Sequence, residues 1–209
     1  SHIAAEVFNC AAPDTGNMEV LHKYGSEAQK KQWLEPLLNG EIRSAYAMTE
    51  PGVASSDATN ISTSAVLEGD EWVINGTKAW ITNGGIANVH VVVAAVDPEL
   101  KGRGQASFII PPGTKGLSQG QKYQKHGIKA SHTAEVVLDD VRVPGSCLLG
   151  GKEKLDAKLA RYREGGASSG KQPAMATFEA TRPAVGAQAL GVARGAYEIA
   201  LEYAKERVA

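Results

Sequence analysis

The spacing of apolar side chains changes twice along the chain. In residues 1–44 they fall three and four apart: Met18 and Leu21, then Trp33, Leu34, Leu37 and Leu38, the spacing of a helix face. Ser26 with Gln29 three residues on makes a capping-box pair, and Asn39-Gly40 supplies a stop. AAPDTGN, with Pro13, Asp14 and Gly16, reads as a break before the helical stretches. From 45 to 143 the period falls to two. Val66–Ile74 folds over a tight turn at Gly69-Asp70, and Asn75-Gly76 predicts a two-residue hairpin between Trp72–Ile74 and Lys78–Thr82. His90–Val96, Ser107–Pro111, Ala134–Leu138 and Val141–Val143 add short strands. Such a run predicts an antiparallel barrel or sandwich. Long helices between the strands are lacking, which argues against a doubly wound nucleotide fold.

From residue 150 the helical period returns. Glu153–Glu164 carries Leu155, Leu159 and Tyr162, and Pro183 opens a run to Ala209 with Val185, Leu190, Val192, Ile199 and Leu201. These apolar residues occupy more than one face, which predicts a covered helix and self-association. Gly186, Gly191 and Gly195 each cost roughly 1 kcal/mol against Ala inside a helix, so close packing against a neighbour is expected there. The fold class expected is α+β: a central antiparallel β-barrel-like domain over 45–149, flanked by α-helices in 1–44 and 150–209.

Charge narrows the function classes. Lys+Arg 22 against Asp+Glu 23 gives a net charge of −1, which excludes a globally basic nucleic-acid binder. The most apolar stretch, Val89–Val96, is broken by His90, so no membrane span is expected. Cys10 and Cys147 are too few for a disulfide framework, and free thiols in a reducing compartment are expected. The first ten residues lack the basic start and apolar middle of a secretory signal. The chain starts without Met and stops inside a helical pattern, which predicts a segment of a longer protein.

Several motif matches fail on context. GASSG (166–170) follows a charged helix rather than the strand a nucleophile elbow needs. GGASSGKQ (165–172) resembles a phosphate-binding loop, but Gln172 stands where Ser or Thr would hold magnesium. KGRGQAS (101–107) lacks the strand–helix setting of a dinucleotide fingerprint. His126 and His132 have no Cys or carboxylate partners at ligand spacing, so no metal site is expected. The six Lys/Arg and three Asp/Glu of 151–171 read as a solvated face.

Two segments carry candidate chemistry. In Tyr46–Asp57 a strand enters a loop of small residues and hydroxyls. Its backbone N–H groups and Ser55 and Ser56 suit a pyrophosphate or a polar ring edge, though taken alone the loop reads better as a plain turn. In Lys78–Gly85, Trp80 and Thr82 share one strand face. An indole there suits a planar cofactor and the hydroxyl a ring nitrogen; a core Trp beside a surface Thr is the alternative.

YAMTEP…SSD, NGTKAWITNGG, GIKAS-T and FEATRP, in this order, resemble the acyl-CoA dehydrogenase family over essentially the whole chain. Residues 1–44 resemble the end of its N-terminal helical domain, 45–149 its middle β-domain and 150–209 the start of its C-terminal helical domain. The resemblance implies FAD and an acyl-CoA thioester oxidised to the 2-enoyl-CoA. A base takes the α-proton, the β-hydride goes to flavin N5, and hydrogen bonds hold the thioester oxygen as charge develops. It implies that Tyr46, Met48 and Thr49 line the flavin ring and that Ser55 and Ser56 approach the pyrophosphate, Ser56 also the substrate. Trp80 would cover the ring and Thr82 bond near N5, while Glu179 and Arg182 would meet the CoA portion. Further implications are an electron-transfer flavoprotein as acceptor, a tetramer or dimer in the complete protein, and a cytoplasmic (bacterial) or mitochondrial-matrix location.

Three departures qualify the match. EPGVASSDATN has one extra residue, with Ser55 where Gly is usual. The link from Gly150 to Phe178 is longer than usual by roughly a dozen residues. Thr181 stands at the alternative position of the base, whose usual place lies beyond this chain's end, and Glu179, two residues away, is on another helix face. An incomplete dehydrogenase chain without its base is therefore expected. The competing readings are a non-catalytic β-domain that binds flavin weakly or serves as an assembly partner, and an unrelated β-barrel binding protein.

Overall fold

The computed structural model describes residues 12–53, 57–166 and 173–208. Its centre is β4 (Val89–Ala95), buried along its whole length. Strand side chains alternate between faces, and here both faces are covered. Val92 and Ala94 pack with Phe108 and Ile110 in the barrel core. Val89 and Ile109 pack outward against Leu21, Leu34 and Leu37. The other strands are β1 (Ser44–Ala47), β2 (Ser64–Glu68), β3 (Glu71–Thr82), β5 (Gln105–Ile110), β6 (Leu117–Lys122) and β7 (Thr133–Pro144). They form one sheet in the order β1-β4-β2-β3-β7-β6, with β5 on β4, curled into a half-barrel with flanking helices. The α+β architecture is the one that the sequence indicates.

Its pairing is mixed rather than antiparallel throughout. β1 runs parallel to β4, with Ser44 opposite Val89 and Ala47 opposite Val92, and Ser64 of β2 pairs parallel to Ala95. The β2–β3 hairpin intervenes between β1 and β4, so the chain returns in the same direction; a parallel pair needs such a long connection.

Three local expectations are corrected, and one strand had no sequence signal. The hairpin turn lies at Gly69-Asp70, between β2 and β3, and Asn75-Gly76 sits inside the twelve-residue β3 at a register shift against β7. That Asn-Gly is a bulge: Asn75 Oδ1 accepts from Asp140 N at 2.8 Å, and a Cβ on Gly76 would meet Thr63 Oγ1 at 2.4 Å. Glycine is there for close approach rather than reversal. β6, LSQGQK, has no apolar alternation to announce it, yet it pairs with β7 at the exposed edge. AAPDTGN is no break: α1 spans Ala12–Tyr24, with Pro13 in the first turn, where its missing N–H costs nothing. Nor does Pro183 open the last helix. α5 starts at Pro173 and runs to Glu206, with Pro183 inside it.

The remaining helices secure the ends. Ser26 Oγ and the Gln29 side chain complete the expected capping box at α2 (Glu27–Gln29), which continues through a π-helical turn, Lys30–Leu34, into α3 (Glu35–Leu38). Leu37 is buried and Leu38 exposed. α4 (Lys152–Arg163) lays Leu155 and Leu159 on the barrel core, and Arg163 pairs with the buried Asp97 at 2.8 Å. On α5, Val185, Leu190, Val192, Ile199 and Leu201 are exposed. A Cβ on Gly186, Gly191 or Gly195 meets nothing within 4 Å, so the packing expected at those glycines is not made by the described residues. The stretch 167–172, which holds most of GASSG and the P-loop-like match, lies outside them, as does Cys10.

Candidate functional site

Two strand ends meet at the site. β1 delivers Tyr46 and, just beyond its end, Met48 and Thr49. β3 delivers Trp80 and Thr82. Between Lys78 and Ile81 the β3–β7 register slips, and Trp80 takes φ 61°, a left-handed backbone that costs a bulky residue on the order of 1–3 kcal/mol. The surroundings hold it: Ala79 N donates to Thr49 O at 2.8 Å, and Thr49 Oγ1 donates back to Ala79 O. The bulge turns the indole outward. Ala79 and Ile81 are buried, while Trp80 is 62% exposed. Trp80 stacks on Tyr123, which sequence reasoning missed because β6 before it is polar. The Tyr123 hydroxyl donates to Glu135 Oε1 at 3.2 Å.

Beneath the bulge lies a buried ion pair. Lys78 Nζ is 2.8 Å from Glu50 Oε1, with both side chains at 2% exposure or less, and it also donates to Met48 O at 3.0 Å. Glu50 further accepts from Ser62 N, Ser62 Oγ and Thr63 N. Burial alone would raise the Glu50 carboxyl, but the bonds from Lys78, Ser62 and Thr63 outweigh it and bring the pKa to about 2. Burial draws the Lys78 ammonium down to about 8, and Glu50 opposes that only in part.

A second polar cluster fixes α1 over the same strand ends. Asp14 Oδ1 accepts from Ser44 N at 2.6 Å and Ser44 Oγ at 2.8 Å. Asn17 Nδ2 donates to Ala45 O at 3.1 Å and Asn83 Nδ2 to Ser44 O at 2.9 Å. Asp14, Asn17, Ser44 and Asn83 are all fully buried, so these bonds matter to the interior; the Asn17 and Asn83 Oδ1 atoms are buried without a hydrogen-bond partner among the described residues. The proline and glycine around Asp14 mask this helix-to-strand junction in the sequence.

These elements enclose a cleft of about 320 Å³. Ala12, Pro13 and Gly16 of α1 form one side and Thr181, Arg182 and Val185 of α5 another. Tyr46, Met48, Thr49, Trp80, Ile81 and Thr82 complete its lining. Six of the residues singled out from the sequence thus share one site: Tyr46, Met48, Thr49, Trp80, Thr82 and Arg182. Ser55 and Ser56 lie outside the described residues. Glu179 is exposed on α5 and does not line the cleft. Among the described lining residues there is no Asp or Glu. Burial raises the Tyr46 phenol well above its ordinary value, so it stays protonated. Tyr46 also borders a second cavity, about 210 Å³, on the side of Leu155 and Lys158. The main cleft is largely apolar, and the exposed indole of Trp80 and the hydroxyls of Thr49 and Thr82 are among its lining, a composition suited to a planar heteroaromatic ring.

Comparison with known proteins accords with this geometry. Residues 45–141 match "Acyl-CoA dehydrogenase, middle domain" and 168–209 match "Acyl-CoA dehydrogenase, C-terminal domain". A short-chain specific acyl-CoA dehydrogenase of Rattus norvegicus, mitochondrial by name, is 41% identical over 88% of this chain and 41% of its own length. The butyryl-CoA dehydrogenase structure from Megasphaera elsdenii superposes with TM-score 0.79 at 37% identity, covering 92% of this chain and 46% of that one. A glutaryl-CoA dehydrogenase from Mycobacterium smegmatis in complex with FADH2 gives TM-score 0.60 at 38% identity over 71% of this chain and 37% of its own. The chain spans less than half the length of these relatives.

Proposed function

The chain belongs to the acyl-CoA dehydrogenase family, and on that premise we propose that it carries the flavin-facing half of a site for α,β-dehydrogenation of an acyl-CoA thioester. The observation that carries the reading is the convergence of Tyr46, Met48, Thr49, Trp80 and Thr82 on one cleft. The FADH2 named with the M. smegmatis relative supports FAD as the cofactor. The residues fit it: an outward indole for a ring face, and the Thr82 hydroxyl at the edge for a ring nitrogen. Bound flavin supplies the two-electron oxidation.

The protein's own part is placement. Trp80 and Met48 would exclude water from the ring, Thr82 and Thr49 would offer it hydroxyl hydrogen bonds, and Arg182 would offer a cation to the anionic CoA portion. Ser55, Ser56 and Glu179 have the pyrophosphate and CoA roles that the family resemblance gives them. No residue described here removes the substrate proton. Thr181 lines the cleft where a carboxylate would be needed, and a hydroxyl with an ordinary pKa is no base at neutral pH. These 209 residues alone bind flavin weakly and do not turn over. In the complete protein, the reading includes an electron-transfer flavoprotein as acceptor, a homo-oligomer that covers the exposed apolar side chains of α5, and a bacterial cytoplasmic or mitochondrial-matrix setting.

An electron-acceptor assay with added FAD and short-, medium- and long-chain acyl-CoAs tests this. The expected result is no acyl-CoA-dependent acceptor reduction from a sample of confirmed 209-residue mass. Turnover would show that a base within the chain has been overlooked. The second reading, a module whose only task is assembly, draws on the same exposed α5 side chains. It predicts association with no flavin affinity.

A further inference from the structure

We propose that Lys78 is a positioning residue for the flavin cleft: it clamps the segment Met48–Glu50 to the β3 bulge and so fixes Trp80 against Thr49. The proposal rests on the flavin reading above.

The geometry of the clamp is specific. Lys78 is among the largest fully buried side chains of the described residues, although lysine is almost never buried without a partner. Its ammonium reaches across to the neighbouring segment and donates there twice, to Met48 O at 3.0 Å and to Glu50 Oε1 at 2.8 Å. Two residues on, the backbone turns into the left-handed region at Trp80. Directly between them, Ala79 N bonds Thr49 O at 2.8 Å. Met48, Thr49 and Glu50 are thus held in sequence by Lys78 Nζ, Ala79 and Lys78 Nζ again. Met48, Thr49 and Trp80 line the cleft, while Lys78 and Glu50 do not touch it.

A buried ion pair is a poor source of net stability, because desolvating two charges offsets their attraction. An apolar pair of similar size would fill this space as well. What such a pair would not do is bind the Met48 carbonyl and set the spacing between the loop and the bulge. The strained Trp80 backbone needs that restraint, since a left-handed tryptophan relaxes when its neighbours release it. The pair is therefore assigned to geometry at the cleft rather than to holding the barrel together.

The test uses the whole chain and the double variant Lys78→Met with Glu50→Gln, which removes both charges together and leaves no lone buried ion. Three quantities are read: the urea midpoint, hydrogen exchange at Ala79 N–H in the flavin-free chain, and FAD affinity by fluorescence titration. The clamp predicts an unchanged midpoint, at least tenfold faster exchange at Ala79 than in the parent with Ile74 and Val136 amides unchanged, and FAD binding weakened at least tenfold. Parent-like Ala79 exchange and parent-like FAD affinity overturn the proposal, as does acceleration spread evenly along β3, which marks a structural role only. If the parent chain binds no FAD, the flavin reading fails separately. The Ala79 exchange then decides the clamp by itself: local acceleration upholds it and no change overturns it. Should the double variant not fold, Lys78→Leu with Glu50→Gln, which likewise leaves no lone buried ion, serves for the same exchange comparison.

Discussion

The rings of Trp80 and Tyr123 lie face to face, their centroids 3.8 Å apart and their planes 14° from parallel. An exposed indole on a strained backbone is thereby held at a fixed angle over the cleft. Stacked aromatic pairs contribute about 0.5–1.5 kcal/mol beyond their buried area, so Tyr123→Ala should destabilise the chain by that order and weaken FAD binding. Tyr123→Phe should preserve both, because the ring and not the hydroxyl makes the stack. A double-mutant cycle with Trp80→Ala, read by urea unfolding, checks the coupling.

Glu50 predicts an acid limb. Its folded-state pKa is lowered from 4.5 to about 2. The unfolded chain therefore takes up the proton first as pH falls. This ionisation-linked stabilisation, measured against the same pair with Glu50 protonated and not against an uncharged replacement of both residues, is complete above the ordinary carboxylate pKa and is lost as pH falls through 4.5 toward about 2. Urea midpoints across that range should drop in the parent chain and flatten in Glu50→Gln.

Gly76 is a contact glycine. A Cβ there would lie 2.4 Å from Thr63 Oγ1 and 2.9 Å from Thr63 Cα, so Gly76→Ala should cost roughly 1–3 kcal/mol, as overpacking does. Gly52, where an added Cβ meets nothing within 4 Å, is the control: Gly52→Ala should leave the urea midpoint unchanged.

The Asp14 junction should behave as a unit. Asp14→Ala strands Ser44 N and Ser44 Oγ in the interior and should cost roughly 1–3 kcal/mol. Because Ala12, Pro13 and Gly16 of the same helix border the cleft, it should also speed amide exchange in α1 more than in β7.

Much of this was written in the sequence, and the misses share a cause. The period-two segments marked the strands whose faces bury apolar residues, β4 and β5 above all, and the Ser26–Gln29 capping box formed as expected. The family motifs brought six named residues to one cleft. What stayed hidden depends on contacts distant in sequence. Asn75-Gly76 has the composition of a turn but serves as a bulge, because Thr63 packs where a Cβ would stand. Pro13 and Gly16 look like a break until Asp14 is seen bonded to Ser44. Nothing in the sequence marks Lys78 as buried, because its partner Glu50 lies twenty-eight residues earlier. β6 is polar because it is an edge, so Tyr123 gave no sign of its stack.

The central claim is that this cleft takes a flavin ring against Trp80 and Thr82. FAD titration of the purified chain, followed by flavin fluorescence in parallel with Trp80→Ala, tests it most directly. The account predicts saturable binding by the parent chain and at least tenfold weaker binding by the folded variant. No saturable binding by the parent, or equal affinity in the two, would contradict it.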